Sequence, residues 1–191
     1  MRVRILQVFT FLLCLLPLTA QAGYKYVHAE GEYMIELPDA PTADTIWAHK
    51  VRVPYLDTPP KFGNVGEYVT FRRVDPDTGD VFDVEIKFIK APRAFLASLK
   101  VPEIQEHLRR ELKELRLHNE KMDVSVGSDT LKWGIYSGFS VNEHNEKLYN
   151  IVHFLVGQES MTIVKVRFGI INKTYGEYYK TLANSIKFLG R

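Results

Sequence analysis

Residues Leu148–Val156, LYNIVHFLV, and the two segments that follow them decide the fold. Leu148–Val156 is apolar at both alternating sets of positions, which is typical of a strand that is covered on both sides. Met161–Ile170 predicts a second strand, apolar on one face and carrying Lys165 and Arg167 on the other. Further along, apolar residues recur at helical spacing and predict a helix that packs back on the sheet. They are Tyr175, Tyr178, Tyr179, Leu182, Ala183, Ile186 and Leu189.

The first half of the chain predicts further strands. Alternating apolar and polar residues favour strands over Tyr24–His28, Tyr33–Leu37 and Thr45–Val53. Val65–Arg73 and Phe82–Lys90 flank a stretch rich in turn residues, which indicates a β-hairpin.

Helical spacing also occurs in the middle of the chain. Ala91–Lys100 has some helical character, and a helix is predicted from Pro102 to about Asn119. Strands over Asp123–Gly127 and Leu131–Val141 follow. Because short connections join most of the strands, we predict an α+β fold, a mainly antiparallel sheet with helices packed on it. The predicted buried stripe of the helix that begins at Pro102 is Ile104, Leu108, Leu112 and Leu115. One face of the strand Leu131–Val141 carries Leu131, Trp133, Ile135, Phe139 and Val141.

The first residues have the pattern of a secretory signal peptide. Arg2 and Arg4 precede an apolar run from Ile5 to Leu18, and Ala-Gln-Ala follows at positions 20–22. We predict a signal peptide over residues 1–22 and a single α+β domain over residues 23–191, periplasmic or secreted. An uncleaved N-terminal anchor is the alternative.

Charge and cysteine content exclude several classes of function. Without Arg2 and Arg4 the 25 basic residues fall to 23, equal to the 23 acidic ones. Nucleic acid is therefore a poor partner, since proteins that hold phosphate backbones carry a basic excess. The single cysteine, Cys14, lies in the predicted signal peptide, so the mature chain would have neither a disulfide nor a thiolate nucleophile. No later stretch approaches the length of a membrane span.

Two short motifs resemble those of proteins with the PsbP-like fold. Tyr33–Pro38, YMIELP, resembles their aromatic-x-Ile-x-Leu-Pro opening, and Ala183–Phe188, ANSIKF, resembles the end of their last helix. The resemblance implies a PsbP-like α/β/α sandwich and, for most members, a non-enzymatic accessory or binding role. Both motifs are structural, so the resemblance carries no catalytic residue to this chain.

No pattern for catalysis or metal binding is present in the sequence. There is no Gly-x-Ser-x-Gly elbow, and the six histidines form neither an HxH nor an HExxH pair. Asp75, Asp77 and Asp80 lack the register of a calcium loop and indicate a plain turn. We therefore predict no catalytic residue, no metal and no cofactor, and a protein that is not an enzyme.

Two binding functions remain. The first is binding to another protein of the cell envelope. The second is binding of a small apolar ligand or lipid in a pocket between sheet and helix, with His153, Trp133, Phe139 and Tyr179 as the binding residues. His153 is also explained as a hydrogen-bonded core residue, and a hydrolase that uses it is the least favoured alternative.

Overall fold

The computed structural model describes residues 24–27, 33–37, 46–52, 65–75, 77–126 and 132–188. The strands in these residues are β1 (Tyr24–Val27), β2 (Tyr33–Leu37), β3 (Ile46–Arg52), β4 (Val65–Val74), β5 (Val81–Lys90), β6 (His118–Val126), β7 (Lys132–Val141), β8 (Lys147–Val156), β9 (Ser160–Gly169) and β10 (Lys187–Phe188). The helices are α1 (Arg93–Ser98), α2 (Val101–Glu111) and α3 (Lys173–Ser185).

Seven strands form one antiparallel sheet in the order β3-β4-β5-β9-β8-β7-β6, and β1, β2 and β10 form a small second sheet. The hairpins β4–β5, β7–β8 and β8–β9 account for most of the large sheet. β8 lies between β7 and β9 with helices on either face, and its residues from Asn150 to Val156 are all buried. The predicted α+β class, with a mainly antiparallel sheet and helices packed on it, is confirmed.

One face of the large sheet, the α3 face, is covered by α3 and the small sheet. Asn172 is the N-cap residue of α3, and its side chain accepts a hydrogen bond from the backbone N–H of Tyr175 at 3.1 Å. The Tyr175 hydroxyl donates to the backbone carbonyl of Asp80 at 3.2 Å and so ties the helix to the β4–β5 turn. The buried core of this face comprises Tyr33, Ile35, Leu37, Phe71, Phe82, Val84, Ile86, Phe88, Ile151, Val164, Val166, Phe168, Tyr175 and Leu182.

The opposite face, the α2 face, is covered by α1 and α2. Pro102 lies in the first turn of α2, and the Glu103 carboxylate accepts a hydrogen bond from the backbone N–H of Lys100. The helix packs closely, because a Cβ added to Gly134 would lie 2.7 Å from Cδ1 of Leu108. The buried core of this face comprises Ile89, Leu96, Leu99, Ile104, Leu108, Leu112, Tyr136, Val152, Phe154, Val156, Met161 and Ile163.

The sequence misplaced the boundary between α2 and β6. The helix ends at Glu111 rather than about Asn119, Leu115 is exposed, and β6 begins at His118 rather than Asp123. A β-bulge follows between His118 and Lys121. The backbone of β6 approaches β7 closely at this bulge, which is possible because Gly138 has no side chain. A Cβ on Gly138 would lie 3.1 Å from the backbone carbonyl oxygen of His118. The predicted signal peptide, Leu131 and Leu189 lie outside the described residues, so cleavage stays a prediction.

A charged ladder crosses β4, β5 and β9 on the α2 face of the large sheet. The buried Asp83 carboxylate accepts from Arg72 Nε at 2.6 Å and from Arg167 Nη2 at 2.5 Å. Next to it, Lys165 lies 3.3 Å from the Glu85 carboxylate and 3.7 Å from that of Glu111. The predicted polar face of β9 is therefore neutralised by carboxylates on β5 and α2.

We expect Asp83→Asn to lower the free energy of unfolding by only about 0.5–1 kcal/mol, because solvent screens ion pairs at half-exposed guanidinium groups. The side chains of Arg72 and Arg167 are 58% and 48% exposed. Urea unfolding at low and at high salt measures the effect, which should shrink as salt rises. Asp77→Asn, in the exposed β4–β5 turn, is the control. A loss above about 2 kcal/mol that salt does not change would contradict this account.

Candidate functional site

The β7–β8 register places three of the four predicted binding residues on the α3 face. Residues directly opposite each other in an antiparallel pair share a face. Ile135 is opposite His153, Trp133 is opposite Leu155, and Phe139 is opposite Tyr149. Trp133 and His153 are therefore diagonal neighbours, whereas Phe139 lies at the other end of the strand.

Tyr179, the fourth predicted residue, reaches the same face from α3. Its hydroxyl lies 3.2 Å from Nε2 of His153, and the two ring centroids are 5.9 Å apart. The Tyr179 ring also lies 5.8 Å from that of Phe168, which stacks on Tyr149 at 5.8 Å. The structure thus brings His153 and Tyr179 into contact and joins them to Tyr149 by a row of rings.

Phe139 has separate neighbours. Its ring stacks on that of His118 at 5.2 Å, and the ammonium group of Lys147 lies 5.4 Å from its centroid. Six positions along β7 separate it from Trp133, so the two side chains are about 20 Å apart along the strand. The four predicted residues share one face of the sheet, but they are spread along its length.

Burial on the α3 face decreases from β9 towards β6. His153 is only 5% exposed, whereas Trp133, Ile135 and Phe139 are half-buried and Tyr149 is 37% exposed. We call these last four residues the aromatic surface. It is bordered on β6 by Lys121, Asp123 and Ser125, which are opposite Ser137, Ile135 and Trp133.

The electrostatics of the His153–Tyr179 pair argue against acid–base catalysis near neutral pH. Burial lowers the pKa of His153 to about 4 and raises the pKa of Tyr179 to about 12. Both groups are therefore neutral at pH 7, and neither has a pKa near the operating range of a general base. The pair acts as a hydrogen-bonded part of the core, as the sequence reasoning allowed for His153.

The described residues offer no cluster of three or more His, Cys, Asp or Glu side chains that could hold a metal ion. Across those same residues, no helix has the length and apolar character needed to cross a membrane.

Sequence reasoning left Ile135 and Tyr149 out of the predicted site. Strand alternation alone placed Ile135 on one face with Trp133 and Phe139, whereas the grouping of Tyr149 with them depends on the β7–β8 register. That register follows from the short turn of residues 142–146 between the paired Val141 and Lys147, since turn length fixes strand pairing in a hairpin. Pairing the two segments across this turn would have identified the aromatic surface.

Comparisons with known proteins give a likeness of fold. No family model matches the chain, and no curated protein matches it either. Among solved structures, the chain is similar to cyanobacterial PsbP (CyanoP) from Synechocystis, at 9% identity and a TM-score of 0.49, over 90% of this chain and 95% of that one. It is also similar to LpqN, described as involved in cell envelope biogenesis of Mycobacterium tuberculosis, at 10% identity and a TM-score of 0.43, over 86% and 89% of the two chains.

Proposed function

We propose that this protein is a non-enzymatic accessory protein of the periplasm or the secreted fraction, and that it binds another envelope protein through the aromatic surface. The observation that carries the proposal is the set Trp133, Ile135, Phe139 and Tyr149, which lies on one face and is incompletely covered. The signal-peptide pattern of residues 1–22 supports the location.

The shape of the aromatic surface favours a protein partner. An apolar centre with large aromatic residues and a polar rim is typical of protein interfaces. Here Lys121, Asp123 and Ser125 supply the rim on β6, and Lys147 supplies it next to Phe139. The span of about 20 Å between Trp133 and Phe139 suits a partner protein better than a compact small molecule.

The test is site-specific photo-crosslinking in living cells. We expect a photoreactive amino acid at position 149 to give a crosslinked product with one envelope protein. Val101 is the matched control, because it is also 37% exposed but lies on α2, on the opposite side of the sheet. Phe139→Ser should reduce the yield at position 149 at least tenfold if that side chain is an anchor.

Equal yields at positions 149 and 101 would contradict the proposal, because they would report random collision. A product at position 149 that Phe139→Ser and Trp133→Ser leave unchanged would also contradict it. Circular dichroism of both serine variants checks that the fold is retained.

A small apolar ligand or lipid is the second candidate. It is favoured by the half-buried Trp133 diagonal to the buried His153, because aromatic side chains beside a few polar groups are typical of the lining of small-molecule sites. Native mass spectrometry of protein purified from its own envelope tests this function. An added mass that is lost on denaturation, and that Tyr179→Phe weakens, would favour the ligand over a protein partner.

A further inference from the structure

The second feature with the character of an interface is the outer edge of β6. β6 is the last strand of the large sheet and pairs only with β7 among the described residues. Most of its side chains are exposed, including Val126 at 44%. An edge strand offers backbone N–H and C=O groups to any chain that can align with it.

We propose that β6 pairs with β6 of a second copy of this chain, antiparallel and about a two-fold axis at Val124. This register places Val124 opposite itself, Asp123 opposite Ser125 of the second copy, and Met122 opposite Val126 of the second copy. The pairing is isologous and closes as a dimer.

The side chains match on both faces in this register. On the α2 face, Met122 and Val124 already pack against the core, and the exposed Val126 would be covered by Met122 of the second copy. On the α3 face, the Ser125 hydroxyl would donate to the Asp123 carboxylate of the second copy, once on each side of the axis. The edge is complementary to itself, which favours a second copy over a foreign strand.

The bulge defines the length of the paired segment. Edge strands are ordinarily protected by bulges, prolines and lysines. In β6 the bulge between His118 and Lys121, with Asn119 at φ 51°, lies before the paired segment. Met122–Val126, MDVSV, contains neither lysine nor proline. Protection therefore covers only the first half of the strand and leaves the second half available.

The dimer leaves the aromatic surface free and doubles it. An axis perpendicular to the sheet keeps the α3 faces of both copies on the same side. The two aromatic surfaces then adjoin across the β6–β6 seam, although the dimer does not depend on the proposed function. The paired segment is short and buries less than the ~1,000 Å² of a durable interface, so we expect a reversible, weak dimer.

The register is tested by sedimentation equilibrium of the wild-type protein and two variants. Each protein is expressed from the full chain. We expect a reversible monomer–dimer equilibrium for the wild type. Ser125→Asp should raise the Kd of the dimer roughly tenfold, because the new aspartate lies opposite Asp123 of the second copy on both sides of the axis. The double variant Asp123→Lys with Ser125→Asp contains the same weakening change but restores opposite charges, and should bind at least as tightly as the wild type.

A wild type that stays monomeric at all concentrations would overturn the proposal, and so would a dimer that neither variant changes. Hydrogen exchange of the wild type gives a second measurement, which is independent of how Ser125→Asp folds. Amides of residues 122–126 that point away from β7 should exchange more slowly as concentration rises. Exchange that does not depend on concentration in a sample that contains dimer would place the interface elsewhere.

Discussion

Replacing Lys132 by methionine is expected to lower the free energy of unfolding by about 3–5 kcal/mol, because three backbone carbonyl groups lose their hydrogen-bond donor. The Lys132 ammonium group is buried on the α2 face and donates to the backbone carbonyls of Leu96, Ala97 and Leu99 at 2.9, 2.7 and 2.5 Å. An ammonium group has three donors, and these three carbonyls at the end of α1 take all of them. Methionine fills a similar volume but leaves the carbonyls without that donor.

The measurement is urea unfolding at neutral pH, with Lys147→Met as the matched control. Lys147 is on the neighbouring strand, but its side chain is exposed and contacts Phe139 through a cation–π interaction. Lys147→Met should lower the free energy of unfolding by less than about 1 kcal/mol. If Lys132→Met costs no more than the control, the ammonium group does not hold α1 to the sheet.

Lys132 also shows what the sequence of β7 does not predict. Alternation correctly grouped Trp133, Ile135 and Phe139 on one face and Lys132 and Tyr136 on the other. It does not say which face a helix will cover. The face with the lysine is the more deeply buried one, because α1 and α2 lie on it and the other face is only partly covered.

Gly134 carries the information that would have decided between the two faces of β7. It lies on the α2 face, where α2 approaches so closely that a side chain would meet Leu108 and Ile104. A glycine within a strand can mark such an approach. The contact, however, joins residues far apart in the sequence, and local periodicity does not contain it.

Other elements were predictable because one local pattern determined them. β8 is apolar on both alternating faces because neighbouring strands and helices surround it, and this was evident in LYNIVHFLV. The end of α2 was not predictable from the sequence, because Leu112 and Leu115 continue the helical spacing of Ile104 and Leu108 beyond the last helical turn. Pairing of β6 with β7 ends the helix, and tertiary contacts of this kind override local propensity.

For the candidate site, the sequence supplied the residue types and the structure supplied their arrangement. His153, Trp133, Phe139 and Tyr179 share the α3 face, but only the register and the placement of α3 bring Tyr179 to His153. Periodicity places a residue on a face of its own element. It does not show which residue of a distant helix will lie above it.

The stability of the protein is expected to fall by about 3 kcal/mol between pH 6.5 and pH 4 because of His153 alone. Burial lowers the pKa of His153 from 6.5 to about 4 in the folded state, while the unfolded chain keeps the ordinary value. Between these two values the unfolded state binds more protons, so acid favours unfolding. The stabilising contribution is complete above pH 6.5 and is lost as the pH falls towards 4.

Chemical unfolding of the wild type and His153→Gln at several pH values measures this contribution. The variant should be less stable at pH 7, because it disturbs the hydrogen bond with Tyr179, but its stability should depend less steeply on pH between 6.5 and 4. His107→Gln removes a second buried histidine whose pKa is lowered by burial and by Arg110, and its effect on the slope should add to that of His153→Gln. His144→Gln, in an exposed turn, is the control that should leave the slope unchanged. Parallel pH profiles for wild type and His153→Gln would mean that the pKa of His153 is the same in the folded and unfolded protein, and hence that burial does not disfavour its charged form.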